Sequence, residues 1–79
     1  MPEFFLLTKD NCALCVHAIQ LIHQQELPEP IQLNMVDITH DPALVVEYGL
    51  LVPVLVRGSD DAELKWPFAA DQLQEFLSQ

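Results

Sequence analysis

The chain is 79 residues long, 51% apolar, and carries twelve acidic residues against three basic ones (Lys9, Arg57 and Lys65), for a net charge of −9. This length suits one domain, residues 1–79, with a thin stability margin, because a chain of this size buries only about 60% of its unfolded surface. The charge repels nucleic-acid phosphates and anionic membrane surfaces, and no stretch approaches the roughly 20 apolar residues of a membrane span.

The N-terminus shows no basic n-region, and its apolar run is too short for a signal peptide, so a cytoplasmic, reducing location is expected. The elements alternate from there. Phe4 to Thr8 is apolar on both faces, which suits a central strand covered on both sides. Residues 12–25 carry a helical pattern, with apolar positions at Cys12, Cys15, Val16, Ile19 and Ile22. Asp10 or Asn11 supplies a cap, and Pro28 and Pro30 forbid continuation. Ile31 to Met35 alternates apolar and polar residues, as a strand with one wet face does, and Val36-Asp37-Ile38 ends it. Asp41-Pro42 reads as an N-cap with proline at the first helical position. A short helix follows over Ala43 to Tyr48, stopped by Gly49. Val54-Leu55-Val56 is a strand, residues 58–61 a turn, and Ala62 to Trp66 its antiparallel return. Pro67 breaks that strand. A last helix runs from Ala69 to Leu77, with Ala70, Leu73, Phe76 and Leu77 facing inward. The order is βαβ, then α, then ββα: an α/β domain with a mixed sheet.

Both cysteines, Cys12 and Cys15, fall where the first strand hands over to the first helical turn. Four free N–H groups and the positive end of the helix dipole lie there. Both favour a thiolate over a thiol, so a cysteine at this place is reactive at neutral pH. In a reducing compartment a vicinal pair is more often catalytic or metal-binding than a structural staple. A C-x-x-C disulfide also closes too small a loop to stabilise a fold much. Helix geometry assigns the roles. Cys12 is nearer the helix end and is the nucleophile; Cys15 lies a turn on, more buried, and resolves the mixed disulfide. Lys9, three residues before Cys12, offers a cation that favours the thiolate and faces a substrate.

Thr8-Lys9 with Cys12-Ala13-Leu14-Cys15, together with Val36-Asp37-Ile38, Tyr48-Gly49 and Val52-Pro53-Val54-Leu55, resembles the glutaredoxins and the wider thioredoxin fold. Leu64, Trp66-Pro67-Phe68 and Leu73 are similar to small bacterial proteins called glutaredoxin-like. The resemblance covers nearly the whole chain. It implies a thioredoxin-like fold, with a central mixed four-stranded sheet and helices on both faces, and a redox-active Cys12–Cys15 disulfide. It also implies a cis Pro53 beside the dithiol. The exposed backbone of Val52 before it would pair with an extended substrate as an added strand. The activity it implies is thiol–disulfide exchange with a disulfide-bearing protein or small thiol, recharged by glutathione or a reductase, in a monomer without nucleic-acid or membrane partner. No resident cofactor is expected, and glutathione enters only as a co-substrate.

The departures from the family pattern are specific. Ala13-Leu14 stands where typical glutaredoxins have Pro-Tyr. The Gly-Gly and following polar residues that hold the γ-glutamyl end of glutathione are missing after Gly58, which argues against a glutathione site. The thioredoxin Trp-Cys-Gly-Pro-Cys is absent, and Phe4 to Leu7 carry no buried aspartate. Two other readings stand beside catalysis. One is a metal site: Cys12 and Cys15 with His17, His23 or His40 for zinc, or a copper-carrier arrangement, whose usual methionine two residues before the first cysteine is here Asp10. A structural zinc needs four ligands, which scattered histidines supply poorly. The other is a binding module that keeps the fold without catalysis.

Overall fold

β1 (Glu3–Thr8) is the strand on which the other elements assemble in the computed structural model, which describes residues 1–78. It pairs in parallel with β2 (Gln32–Asp37) after a crossover through α1 (Ala13–His23), and antiparallel with β3 (Val54–Arg57) on its other side. β4 (Glu63–Lys65) returns antiparallel on β3, so the sheet order is β2-β1-β3-β4. α2 (Pro42–Tyr48) lies between β2 and β3 in the chain, and α3 (Ala70–Ser78) closes it. No helix among the described residues is long and apolar enough to cross a membrane.

The period of two along β1 divides the core into two layers. Phe4 and Leu6 point to one face, where they pack with Ala18 and Ile22 of α1, Leu55 of β3, Phe68, and Leu73 and Leu77 of α3. Leu7 points to the other face and packs with Val54, Ile38, Val52 and Cys15, against which Leu44 and Tyr48 of α2 rest. Two helices therefore cover one face and one short helix the other. This is the βαβ-α-ββα arrangement of the thioredoxin-like α/β fold, with a mixed four-stranded central sheet. α2 has no fully buried residue of its own. It is held by caps and ties instead: the Asp41 carboxylate accepts from Ala43 and Leu44 N–H at 3.1 and 3.3 Å, and the Tyr48 hydroxyl donates to Glu63 on β4.

Several local expectations are corrected. α1 begins at Ala13, and its cap is Cys12 rather than Asp10 or Asn11. Its buried stripe is Cys15, Ala18 and Ile22, with Val16 half-exposed. β2 runs through Val36 and Asp37, because the parallel pairing with β1 continues to Thr8↔Asp37. Met35, an apolar position of that strand, is also half-exposed, since β2 is an edge strand that α1 covers only in part. Ala70 is exposed; the face that α3 buries is Leu73 and Leu77, with Phe76 partly buried. Gly49 ends α2 without a left-handed turn, at φ −55°. What requires glycine there is proximity, because a Cβ would sit 2.5 Å from the Val45 carbonyl oxygen.

The hairpin turn between β3 and β4 is fixed by charge. Arg57 donates through Nε and Nη2 to the two oxygens of Asp60, both at 2.9 Å. The same guanidinium lies over the Phe76 ring at 4.7 Å and donates to the Phe76 carbonyl at 3.3 Å. One side chain thus joins the turn to the C-terminal end of α3.

Candidate redox site

β1 delivers the chain to the site at Thr8, and three contacts hold the loop that follows. Ile38 N–H donates to the Thr8 carbonyl at 2.9 Å, and the Thr8 hydroxyl donates to the Val36 carbonyl at 3.4 Å. Asp10 N–H donates to the Thr39 hydroxyl at 3.2 Å. Thr39 N–H in turn donates to Asp37 at 2.8 Å, and Thr39, through its side chain first and this N–H second, holds the Asp37 carboxyl below its ordinary value. Asn11 then takes a left-handed conformation, φ 57°. Asparagine tolerates that region better than most residues with a Cβ. The reversal sets Cys12 in extended backbone at φ −105°, ψ 98°, at the N-cap of α1.

Cys12 caps the helix with sulfur. Its Sγ accepts the N–H of Cys15 at 3.1 Å, and its carbonyl accepts the N–H of Val16 at 3.3 Å. The first is the bond that a serine or aspartate N-cap makes through its side-chain oxygen, and the second is the first backbone bond of the helix. Cys12 and Cys15 are joined in a disulfide with Cα atoms 5.2 Å apart. The two are not equivalent. Cys12 is partly exposed, and Cys15 is buried at 3% exposure among Leu7, Ile38, Val52 and Val54.

The Val52–Pro53 peptide bond is cis, and Pro53 is fully buried. Val52 shares the cluster of Cys15, and Cys12 packs against that cluster. The backbone of Val52 departs from expectation, however. Its N–H donates to the Tyr48 carbonyl at 3.0 Å, so it is not open to a substrate strand. Lys9 also departs. Its ammonium donates to the Gly49 carbonyl at 2.8 Å, at the C-terminal end of α2. That end carries the negative pole of the helix, and it draws the cation there. The Trp66–Pro67 bond is likewise cis, and Trp66 N–H donates to the Pro53 carbonyl at 3.3 Å. Trp66 meets the buried Phe68 ring edge-on, with centroids 5.1 Å apart.

His17, His23 and His40 are exposed. Among the described residues no three or more His, Cys, Asp and Glu side chains are grouped as a metal would require. Beside Cys12 an open groove of about 630 Å³ runs between α1 and the edge strand β2. Val16, Ile19 and Met35 give it an apolar floor, and Asp10 and Asp37 stand on its rim with Lys9. The apolar periodicity of α1 and β2 points these side chains inward. Only the partial cover of β2 by α1 makes them a surface.

A partly exposed cysteine at a helix N-cap, disulfide-bonded to a buried one a turn on and packed beside a cis-proline segment, defines a thioredoxin-fold protein of redox type. The sequence profile of the Glutaredoxin-like domain (DUF836) family matches residues 3–78, and the chain belongs to that family. Among solved structures it is similar to the Northeast Structural Genomics target protein XcR50 from X. campestris. The X-ray structure of that protein is 35% identical, with TM-score 0.71, over 94% of this chain and 93% of the other. Its solution structure is 34% identical, with TM-score 0.74, over 98% and 92%. No functionally curated protein matches the chain.

Proposed function

We propose that the chain is a thiol–disulfide oxidoreductase in which Cys12 is the nucleophile and Cys15 the resolving thiol. The observation that carries this reading is the sulfur cap: Cys12 Sγ accepts a helix N–H while remaining partly exposed, and its partner is buried. A thiolate gains more than a disulfide sulfur from the same N–H and from the positive helix end. In the reduced protein the Cys12 thiolate attacks one sulfur of a substrate disulfide. The other substrate sulfur leaves as a thiolate and takes a proton from solvent. The Cys15 thiolate then attacks Cys12 Sγ, releasing the first substrate sulfur and forming the Cys12–Cys15 disulfide. The two electrons that reduce the substrate are those the dithiol loses. An external thiol or dithiol reductant in a reducing compartment, the cytoplasm, restores the pair.

Glutathione fits this site poorly as a bound co-substrate. The segment after β4 returns to the Pro53 end of the sheet, and there it is Trp66-Pro67-Phe68, two aromatic rings around a proline rather than Gly-Gly. Since the Val52 N–H is engaged, strand pairing at Val52 and Pro53 is left with the carbonyl alone. Affinity for a substrate must come from elsewhere on the surface.

The test is the asymmetry between the cysteines. Cys15→Ser keeps the attack and loses resolution, so it traps mixed disulfides with substrates. Cys12→Ser leaves a thiol that is a turn deeper, and it traps little. Mass spectrometry of both variants after exposure to oxidised glutathione and to cell lysate reads the adducts. Equal labelling, or adducts only on Cys12→Ser, reverses the roles. No adduct on either folded variant supports the non-catalytic binding module instead.

A further inference from the structure

We infer that the groove between α1 and β2 is a substrate subsite for polypeptide disulfides, taking an extended segment with an apolar residue beside its cysteine and a lysine or arginine next to that. The inference rests on the thiol–disulfide reading above and adds the substrate class. Three observations carry it.

The first is continuity with the reactive sulfur. Cys12 itself lines the groove, which leads away along α1 over Val16 and then Ile19. A disulfide placed for in-line attack by Cys12 therefore leaves its flanking residues over this floor. The second is the character of the floor. Val16 is 52% and Met35 50% exposed, although both lie within regular elements at the edge of a packed core. Water covers apolar area there that a substrate side chain buries at a gain. Methionine adds a surface that adapts to side chains of different shape. The third is charge. One ammonium, Lys9, stands at the groove against two carboxylates, Asp10 and Asp37. The Lys9 ammonium is already bonded to the Gly49 carbonyl. Hydrogen bonds from Thr39 hold the Asp37 carboxyl below its ordinary value and so favour its charged form. The chain as a whole carries −9. An anionic small disulfide such as oxidised glutathione, with its several carboxylates, meets like charge at this rim. A basic peptide meets its complement.

Two disulfide peptides that differ only in a lysine or glutamate beside the apolar residue, together with hydroxyethyl disulfide and oxidised glutathione, separate the possibilities. Dithiothreitol regenerates the dithiol. The lysine peptide is reduced about threefold faster than the glutamate peptide, as suits exposed charge pairs, and Asp37→Lys inverts that order. The double variant Val16→Ser, Met35→Ser lowers the ratio of the lysine-peptide rate to the hydroxyethyl disulfide rate by about tenfold, the effect of losing the apolar contact. Val16 and Met35 are half-exposed, and Asp37→Asn keeps an oxygen that accepts the Thr39 N–H, so this variant, which abolishes the preference without reversing it, guards against a loss of local structure in Asp37→Lys; circular dichroism checks that each variant is folded. Equal rates on the two peptides, with an unaltered ratio in the double variant, overturn the subsite. A preference for oxidised glutathione over either peptide overturns it in favour of a small anionic disulfide. Reduction of hydroxyethyl disulfide without peptide preference removes the substrate class alone. Failure to reduce any disulfide removes the oxidoreductase reading and the subsite with it.

Discussion

Asn11 and Cys12 do the local work that brings a sulfur to a helix end. With φ at 57°, Asn11 occupies a region that costs a residue with an ordinary side chain roughly 1–2 kcal/mol. Asn11→Ala is therefore expected to lower the unfolding free energy by about 1 kcal/mol, and Asn11→Gly to leave it nearly unchanged, both read by urea denaturation. At Cys12 the prediction is kinetic. In Cys15→Ser, the alkylation rate of the remaining thiol should inflect well below the pH of a free thiol, about 8.5, because the helix N-terminus favours the thiolate. An inflection near that of a free thiol would show that the cap hydrogen bond does not carry over to the reduced state. Residue chemistry at this place was legible in part. Two cysteines three positions apart, after an apolar strand, mark the site. That one of them serves as the cap was not legible, because the residues that usually cap helices, Asp10 and Asn11, stand just before it.

At the scale of elements, the β3–β4 turn and α3 are joined by Arg57. The guanidinium beside Asp60 holds that carboxyl at about 2. A carboxyl lowered on folding stabilises the native state fully above its unfolded value, about 3.9, and loses that contribution as pH falls through about 2. The acid limb of stability against pH should therefore flatten in Asp60→Asn, with the two proteins converging towards pH 2; parallel limbs would show the ion pair to be silent. Tyr48 reports the opposite limb. Its hydrogen bond to Glu63 raises the phenol to about 12, so the tie between α2 and β4 is present below about 10 and weakens as pH climbs towards 12. The order and type of the elements could be read from the apolar run of β1, the Asp41-Pro42 cap and the Val52-Pro53 step. What escaped was where backbone groups go once loops meet. Val52 N–H turns back to Tyr48, and Lys9 reaches Gly49, forty positions away. The Lys9 partner lies far outside the local spacings on which sequence patterns rest, and the Val52 bond, only four positions back, falls past Gly49, where the helical pattern stops.

Across the whole molecule, two opposing quantities set the margin. The core is small, and Leu55 at the centre of β3 is fully buried in it. Leu55→Ala should cost about 2–5 kcal/mol, a large share of the few kcal/mol that a domain of this size holds. Against the core stands the net charge of −9, whose self-repulsion disfavours the folded state. Raising salt to about 0.15 M shortens the screening length to about 8 Å and should raise the melting temperature; a fall would mean that local ion pairs outweigh the repulsion. Global layout was the most legible level, since strand alternation and connection order leave few topologies. The groove was the least, because exposure of Val16 and Met35 follows from how far α1 overlaps an edge strand, which depends on the assembled sheet.

The sulfur cap ties the chemistry of the site to the melting of the protein. Folding and oxidation form a closed square of four states, reduced and oxidised, folded and unfolded. Because the helix N–H favours a thiolate over a disulfide sulfur, the folded edge of the square is tilted towards reduction relative to the unfolded edge. The difference between the unfolding free energies of the two forms then equals the amount by which the fold shifts the dithiol's electron affinity. Two denaturation curves, one with reductant and one without, would measure how far the fold moves the dithiol from donor towards acceptor, with no electrode and no known substrate.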